Sequence, residues 1–402
     1  MSKPKVVVLG AGYAGLVATR RLTQQLSAEE AEIVLINKHN YHYESTWLHE
    51  VAAGTISPNQ ARFMLTDVVN PKRVRLIYDT VTEVKREDKR VVLENSEVAY
   101  DYLVFALGFV SNSFGIPGME ENAYAITDID SSRLIAEHIE YQFAQYSSSE
   151  EKRDEQLTIV VGGGGFTGIE FVGELADKVP ELCKKYDIDR SKARIINVEA
   201  MPSILPMFDE DLVSYGKQSL ENRGVEFRIG TAIKECTEDG FVVGDDNELI
   251  KAGTIVWTGG VMGNPVLADS GFELFKGKVN VGLDLRPEGE ENIFILGDCS
   301  WTMDPETGKP FPPTGQLAVQ EGAKAADNVV ALIRDEVITD FVYSNKGTVA
   351  SLGLSDGIGN VLDGKKLSGK AAAAMKKVVD DRSLFLVGGA KTLLKKGKFR
   401  PF

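Results

Sequence analysis

The chain has 402 residues, of which 43% are hydrophobic and 26% are charged. This composition excludes a disordered protein and predicts two or three globular domains. Its three cysteines lie far apart in the sequence and predict no disulfide framework, and its four histidines lack the companion ligands of a metal site. The net charge of −14 argues against binding to nucleic acid.

The basic residues are concentrated at one end of the chain. Residues 363–402 carry a formal charge of +8, which leaves −22 on the remaining 362 residues. A basic segment on an acidic protein favours contact with an anionic surface. We identify neither a leader sequence nor an apolar run of the ~18 residues that a membrane-spanning helix needs, so we expect the protein to stay on the side of the membrane where it is made.

The first predicted element is a short buried strand, Lys5–Leu9, followed by a glycine-rich turn and a helix. The turn has glycines at Gly10, Gly12 and Gly15, the spacing typical of a dinucleotide site. The first glycine permits a tight turn, the second leaves a bare backbone against a pyrophosphate, and the third allows the helix to pack closely on the strand. The helix would direct its unpaired N–H groups at the phosphates.

The second predicted strand, Glu32–Asn37, lacks the acidic residue that often ends such a strand and binds a ribose. Asn37 can still donate a hydrogen bond to a ribose, and Lys38 can lie near a phosphate. This departure argues against NAD at the first site. The polar and aromatic segment Tyr41–Glu50 is either an ordinary packed loop or a wall of the cofactor site.

The first unit closes with a strand that ends at Gly108. Residues 109–156 then form a connector with a predicted helix at Ser131–Tyr146, and Leu157–Val161 begins a second unit. The glycine spacing recurs 153 residues after the first series, and this repeat is the strongest single feature of the sequence. The repeated glycines are Gly163, Gly165 and Gly168.

The second unit has the acidic residue that the first unit lacks. Its next strand, Arg194–Val198, ends at Glu199, which is placed to accept hydrogen bonds from an adenosine ribose. A carboxylate there repels a 2′-phosphate, so NAD is favoured over NADP. Glu170, in the first turn of the glycine-linked helix, either interacts with the helix dipole or lies where nicotinamide meets a second cofactor.

Two later strands end in small or acidic residues. Thr254–Trp257 ends at Gly259-Gly260, and the predicted strand in 291–298 ends at Asp298, whose carboxylate can accept hydrogen bonds from a ribitol hydroxyl. A helix opens after Pro313 and presents Gln316 and Gln320 on one face. These two amides either bind a carbonyl head group or are simply solvated.

The tail, residues 369–402, has the apolar spacing of a helix, interrupted at Gly388-Gly389. Its lysines occupy other positions, so the tail is either a dimer or core contact with solvated lysines, or a membrane-surface anchor. The residues of the predicted apolar face are Ala371, Ala374, Met375, Val378, Val379, Ala390, Leu393 and Leu394.

Several of these segments together resemble the bacterial type II NADH:quinone oxidoreductases, nearly from end to end. The matching segments are Gly10–Gly15, Ile36–Lys38, Tyr41–Tyr43, Gly165–Glu170, Gly297–Cys299, the helix with Gln316 and Gln320, and Leu394–Phe399. Two positions depart from the family pattern: Gly315 stands where alanine is usual, and Met262 where relatives have arginine.

The resemblance implies an α/β protein with two Rossmann-like dinucleotide-binding domains, in which an NAD domain is inserted into a split FAD domain. A C-terminal amphipathic helix would anchor it to the membrane. The expected divisions are residues 1–110 and 266–335 for FAD, 111–265 for NADH, and 336–402 for the anchoring region.

The resemblance also implies the residues of the site. Glu170 would be the catalytic residue near nicotinamide and quinone. The FAD residues would be Gly10, Gly12, Tyr13, Ala14, Gly15, Asn37, Lys38, Val81, Gly108, Asp298, Gly315 and Lys376. The NADH residues would be Gly163, Gly165, Gly168, Glu199 and Gly260, and the quinone residues Gln316, Gln320 and Val379.

The implied activity is hydride transfer from NADH to non-covalent FAD, then electron transfer to a membrane quinone, with menaquinone expected and no proton pumping. The implied setting is a homodimer bound peripherally to the cytoplasmic face of the cell membrane, with no nucleic-acid partner. Two alternatives stay open: a sulfide:quinone oxidoreductase, which needs a cysteine pair beside the flavin, and an NAD(H)-sensing flavoprotein with little turnover.

Overall fold

The computed structural model describes residues 3–361 and 364–399. Its α-helices are α1 Tyr13–Gln25, α2 Leu48–Ala53, α3 Met119–Asn122, α4 Ile129–Ser148, α5 Phe166–Lys185, α6 Glu210–Glu221, α7 Val266–Asp269, α8 Gly315–Ile333 and α9 Gly369–Lys396.

The strands are short and follow one another closely along the chain. They are β1 Lys5–Leu9, β2 Glu32–Asn37, β3 Tyr41–Tyr43, β4 Arg62–Met64, β5 Val74–Tyr78, β6 Val81–Lys85, β7 Arg90–Leu93, β8 Glu97–Ala99, β9 Tyr102–Phe105, β10 Phe109–Ser111, β11 Tyr124–Ala125, β12 Thr158–Gly162, β13 Arg194–Glu199, β14 Val225–Ile229, β15 Ile233–Thr237, β16 Gly240–Val243, β17 Glu248–Lys251, β18 Thr254–Trp257, β19 Val261–Gly263, β20 Leu274–Phe275, β21 Lys278–Val281, β22 Ile293–Ile295, β23 Ser300–Thr302, β24 Gly347–Ser351, β25 Gly357–Val361 and β26 Lys365–Ser368.

The first large sheet has five parallel strands in the order β22-β9-β1-β2-β5. Strand β1 lies at its centre and is apolar on both faces, as a parallel sheet covered on both sides requires. Val6 and Val8 pack into one hydrophobic cluster, whereas Val7 and Leu9 pack into another. Since β22 comes from residues 293–295, the chain leaves this sheet after β9 and later returns to it.

The second large sheet is also parallel and five-stranded, in the order β11-β18-β12-β13-β14. The connection between the two units is a two-stranded antiparallel ribbon in which β10 pairs with β19. Ligands of such sheets bind at the carboxyl ends of the strands. The ribbon therefore joins the loops that follow β9 and β18, at the functional ends of both sheets.

The C-terminal part forms a three-stranded antiparallel sheet, β24-β25-β26, against which α9 packs. Gly389 has φ 75° and ψ −179°, so the helix is interrupted at the predicted glycine pair. Among the described residues, no helix combines the length and the apolar content needed to cross a bilayer.

The predicted elements are largely confirmed, with shifted ends. The helix predicted at Ser131–Tyr146 extends over Ile129–Ser148, and the strand predicted at 291–298 is limited to Ile293–Ile295. After Leu296, a 3₁₀ turn at Gly297–Cys299 replaces the rest of that strand. The predicted domain divisions at residues 110, 265 and 335 stay a prediction.

The predicted apolar face of α9 is not packed into the core, so a dimer contact and a membrane-surface anchor remain of the alternatives given for it. Most residues of the predicted apolar face are exposed, including Val378, Val379 and Leu394. The helix instead buries a different set, Ala372, Ala373, Lys376, Asp380, Leu384, Val387, Gly388 and Thr392. The reason is electrostatic: Lys376 and Asp380 are buried as a pair, which apolar periodicity alone does not reveal. The predicted segment extends to residue 402, and 400–402 lie outside the described residues.

Candidate active site

The first glycine turn has three glycines in three different environments. Gly10 has φ 89°, and a Cβ on it would lie 2.3 Å from the carbonyl oxygen of Ala106. At Gly12 a Cβ would meet nothing within 4 Å, whereas at Gly15 it would lie 2.0 Å from the carbonyl oxygen of Gly10. The turn is thus tight at the first glycine, open at the second, and closely packed at the third.

A cavity of about 690 Å³ opens in front of this turn. Of the residues predicted to hold FAD, it is lined by Gly10, Gly12, Tyr13, Ala14, Asn37, Lys38, Val81, Gly108 and Asp298. Gly15, Gly315 and Lys376 are not among the lining residues. Gly15 lies beneath the turn, and Gly315 lies behind Tyr13, because a Cβ on Gly315 would be 3.1 Å from Cε2 of that ring.

Residues 41–50, for which the sequence allowed two interpretations, form one wall of the cavity and pack against the turn. Tyr41, His42, Tyr43 and Ser45 line the cavity. The hydroxyl of Tyr13 donates to Glu44 Oε2 at 2.8 Å, and burial together with the Glu44 charge raises the pKa of Tyr13 well above its usual value. The loop is therefore both a packed loop and a wall of the cavity.

Asn37 braces the same turn through its side-chain amide. Its Oδ1 accepts from the N–H of Ala11 at 2.9 Å, and its Nδ2 donates to the carbonyl of His39 at 2.7 Å. Lys38 is half exposed, and its Nζ lies 3.9 Å from Asp128 Oδ2. The end of β2 thus presents an amide and a cation to the cavity, with no carboxylate of its own.

Asp298 stands on the opposite wall, in the turn that follows β22. Burial raises the pKa of its carboxyl, and the charge of Lys278 opposes this shift. The turn is held from below by Glu321 of α8, whose Oε2 accepts from the N–H of Gly297 at 2.6 Å. Sequence reasoning missed Glu321 because a single acid in an apolar helix gives no local signal of burial.

The second glycine turn repeats the geometry of the first. Gly163 has φ 108° and a Cβ on it would lie 2.8 Å from Cα of Gly259, while Gly165 faces open space. A Cβ on Gly168 would lie 2.1 Å from the carbonyl oxygen of Gly163. At Gly260, the space for a Cβ is instead filled by a side chain, since Cε2 of Phe114 would be 2.4 Å away.

Glu199 lies at the end of β13, directly against this second turn. One carboxylate oxygen accepts from the N–H of Gly164 and the other from the N–H of Met201, at 2.6 Å. The carboxylate is therefore fixed beside the glycine turn, at the carboxyl end of the parallel sheet.

Glu170 is fully enclosed between three elements. Its Oε1 accepts from the N–H of Ser351 at 3.0 Å and lies 3.4 Å from Lys376 Nζ, and its Oε2 lies 3.6 Å from His49 Nδ1. Burial raises the pKa of Glu170, although Lys376 opposes this. Burial also lowers the pKa of His49 to about 3, so the imidazole stays neutral at physiological pH.

The ion pairs continue from Lys376 toward the end of the chain. Asp380 Oδ1 lies 3.1 Å from Lys376 Nζ, and its Oδ2 accepts from Lys398 Nζ at 2.7 Å. Lys398 also pairs with Glu50, and its Nζ lies 4.5 Å from the centre of the Trp47 ring. We call Glu50, Glu170, Lys376, Asp380 and Lys398 the buried ion cluster.

Gln316 and Gln320 face one segment of backbone. Gln316 Oε1 accepts from the N–H of Lys346 at 2.8 Å, and Gln320 Oε1 accepts from the N–H of Ser344 at 2.9 Å. Val379 is 44% exposed on α9. The two amides thus hold the segment that leads into β24. The last residue of that strand, Ser351, donates its N–H to Glu170.

The sequence is similar to known proteins along almost its whole length. The family model described as pyridine nucleotide-disulphide oxidoreductase matches residues 4–322. The type II NADH:quinone oxidoreductase of Staphylococcus epidermidis strain ATCC 12228 is 48% identical over 399 residues, which cover 99% of each chain. That of Staphylococcus aureus strain NCTC 8325 is 46% identical with the same coverage. The chain belongs to the type II NADH:quinone oxidoreductase family.

Solved structures show the same fold as this family member at low identity. NDH2 from Plasmodium falciparum in complex with NADH superposes with a TM-score of 0.84 at 20% identity, covering 99% of this chain and 100% of that one. The sulfide:quinone oxidoreductase of Aquifex aeolicus superposes with a TM-score of 0.78 at 19% identity, covering 96% and 91%. The fold alone therefore does not separate NADH from sulfide chemistry.

The cysteines of this chain bear on that distinction. Cys183, Cys236 and Cys299 are free and buried. Cys299 lies near the cavity, where its thiol is 3.1 Å from the carbonyl oxygen of Gly108, and burial raises its pKa to about 12. Burial disfavours the reactive thiolate, so this thiol does not favour the cysteine pair that the sulfide alternative needs.

Proposed function

We propose that this chain oxidises NADH and reduces a quinone, using FAD bound without a covalent link. The observation that carries the proposal is the pair of glycine turns with the same geometry, at the ends of two parallel sheets joined by the β10–β19 ribbon. The identity of 46–48% to type II NADH:quinone oxidoreductases over 99% of the chain supports the same activity.

The residues around the first cavity fit FAD. Helix α1 begins at Tyr13, has no acidic residue in its first turn and no side-chain cap, so its N–H groups remain available to a pyrophosphate. Gly12 leaves open space there, and Asp298 offers a carboxylate on the opposite wall. FAD, when bound, supplies the two-electron chemistry between nicotinamide and quinone.

The second glycine turn and Glu199 fit NADH. The open space at Gly165 allows a pyrophosphate to approach the N-terminus of α5, and the fixed carboxylate of Glu199 is positioned for ribose hydroxyls. Since that carboxylate repels a phosphate group, NADPH is a poor substrate.

Glu170 is the proposed catalytic residue on the quinone side. Quinone reduction requires protons, and a buried carboxyl with a raised pKa between Lys376 and His49 can hold one. The proposed quinone entry is formed by Gln316 and Gln320, which contact the backbone at Lys346 and Ser344, and by the exposed Val379 on α9.

We further propose peripheral attachment through α9 to the cytoplasmic face of the membrane, with menaquinone as the acceptor, no proton pumping, and a homodimeric assembly. The exposed apolar residues of α9 and the +8 charge of residues 363–402 support the attachment.

The deciding experiment is an assay of purified protein with a soluble quinone. We expect a flavin absorption spectrum, rapid NADH oxidation, and much slower oxidation of NADPH. Glu199→Gln should reduce the difference between the rates of NADH and NADPH oxidation, because it removes the repulsion between the carboxylate and the 2′-phosphate of NADPH. Equal use of NADH and NADPH by the unmodified protein would remove the role of Glu199. Flavin and nucleotide binding without turnover would favour the NAD(H)-sensing alternative.

A further inference from the structure

Phe114 is an unusual residue beside the second glycine turn. Its side chain is 64% exposed, and its φ of 51° lies in the left-handed region. Bulky side chains avoid that region, and such backbone strain is commonly retained at sites of function. The proposed steps of NADH oxidation and quinone reduction do not involve this residue.

The strained conformation is held by a network of hydrogen bonds. The N–H of Phe114 donates to Asn112 Oδ1 at 2.9 Å, and the N–H of Asn112 donates to the carbonyl of Gly260 at 3.0 Å. The indole of Trp257 donates to the carbonyl of Asn112 at 2.8 Å and meets the Phe114 ring edge to face, with centroids 6.4 Å apart. The surroundings therefore fix an aromatic ring in place without burying it.

Sheet topology places this ring on the path of the nucleotide. Strand β12, which carries the glycine turn, has β13 and Glu199 on one side and β18 on the other. With the adenosine ribose at Glu199 and the pyrophosphate at the turn, as the proposed function has them, the nicotinamide half would extend across the end of β18 toward the Phe114 ring, which covers Gly260. The chain continues from there into β19, which pairs with β10 at the wall of the first cavity.

We infer that Phe114 is a substrate-binding residue for the nicotinamide half of NADH, an inference that rests on the proposed function. One edge of its ring covers Gly260 and meets Trp257, and the remaining exposed surface packs against the nicotinamide and its ribose. The contact is apolar and directs that half of the nucleotide toward the β10–β19 ribbon. The exposed surface of the ring contributes nothing to the core, and glycine would serve at this φ without strain.

Phe114→Asn separates the two roles, because asparagine tolerates the left-handed region and has no ring. We expect the melting temperature and the FAD content to stay at or above those of the unmodified protein. We expect the KM for NADH, and the Kd for NAD⁺ measured by calorimetry on the FAD-loaded protein, to rise by about two- to tenfold, the factor that corresponds to one aromatic contact. The kcat should change by less than about twofold.

Phe114→Tyr should restore both constants, and Tyr141→Asn, which removes an exposed ring from α4, is the matched control. Unchanged KM and Kd in Phe114→Asn would overturn the inference, as would an equal rise in Phe114→Tyr. If the asparagine variant does not fold, Phe114→Gly gives the same comparison, because glycine adopts this φ without strain and has no ring. NAD⁺ binding tests the inference even if the unmodified protein fails to turn over NADH, an outcome that would overturn the proposed function alone.

Discussion

At the scale of single residues, the most constrained group is Glu170. It is buried, faces a neutral imidazole on one side and an ammonium on the other, and accepts a backbone hydrogen bond. Such a carboxyl is costly to bury, and its retention inside a cluster of ionisable groups favours a role in proton transfer.

We expect Glu170→Gln to lower kcat for quinone reduction by roughly a hundredfold, the lower end of what a general acid–base group contributes. The flavin spectrum should be retained, because Glu170 does not line the first cavity. Steady-state kinetics with a soluble quinone measure the effect. Glu174→Gln, one turn further along α5, is the control, and similar kinetics in both variants would contradict a specific role for Glu170.

At the scale of elements, α8 stabilises the turn that carries Asp298, because Glu321 of this helix accepts a hydrogen bond from the N–H of Gly297. Glu321 is completely buried, and burial raises its pKa to about 8, against a usual value of 4.5. Because the folded state binds this proton more tightly than the unfolded state does, protonation stabilises the fold. This stabilisation is fully present below the unfolded pKa and is lost as the pH rises through the folded pKa.

We therefore expect the free energy of unfolding of Glu321→Gln to increase, relative to that of the unmodified protein, as the pH rises from about 5 to 9. Each unit by which folding raises the pKa of Glu321 corresponds to roughly 1.4 kcal/mol. The amide keeps an acceptor for Gly297 but cannot ionise. Urea unfolding at several pH values measures the difference. The exposed Glu336→Gln should show no such trend, and a constant difference for Glu321→Gln would mean that its pKa is not raised.

At the scale of the whole molecule, the C-terminal part combines a net positive charge with exposed apolar side chains, whereas the rest of the chain is acidic. Val378 and Leu394 are 47% and 84% exposed on α9. Removing the whole tail would also remove Lys376, Asp380 and Lys398 and leave Glu50 and Glu170 without their cations, so surface substitutions are the cleaner test of membrane attachment.

We expect the double variant Val378→Glu, Leu394→Glu to bind anionic liposomes much more weakly in flotation assays, because it replaces inserted apolar surface with negative charge. NADH oxidation with a soluble quinone should be retained. Glu336→Gln is again the control, and undiminished flotation of the double variant would place the membrane contact on another surface.

Sequence reasoning was successful where the signal is local. The glycine turns, the strand ends at Asn37 and Glu199, and the break at Gly389 each depend on a few adjacent residues. The buried ion cluster was not predicted as a unit, because Glu50, Glu170 and Lys398 come from distant segments. Likewise, the packed face of α9 contains a buried lysine and aspartate, which the apolar pattern assigns to solvent.

The order of the cluster residues along the chain has a consequence for biosynthesis. Glu50 and Glu170 are synthesised before the last strand of the two large sheets, whereas their partners Lys376 and Lys398 are synthesised after it. Both sheets can therefore have all their strands while these two carboxylates still lack their cations. The cluster is complete only once residue 398 has left the ribosome, and a product truncated before Lys376 would leave Glu50 and Glu170 without either cation.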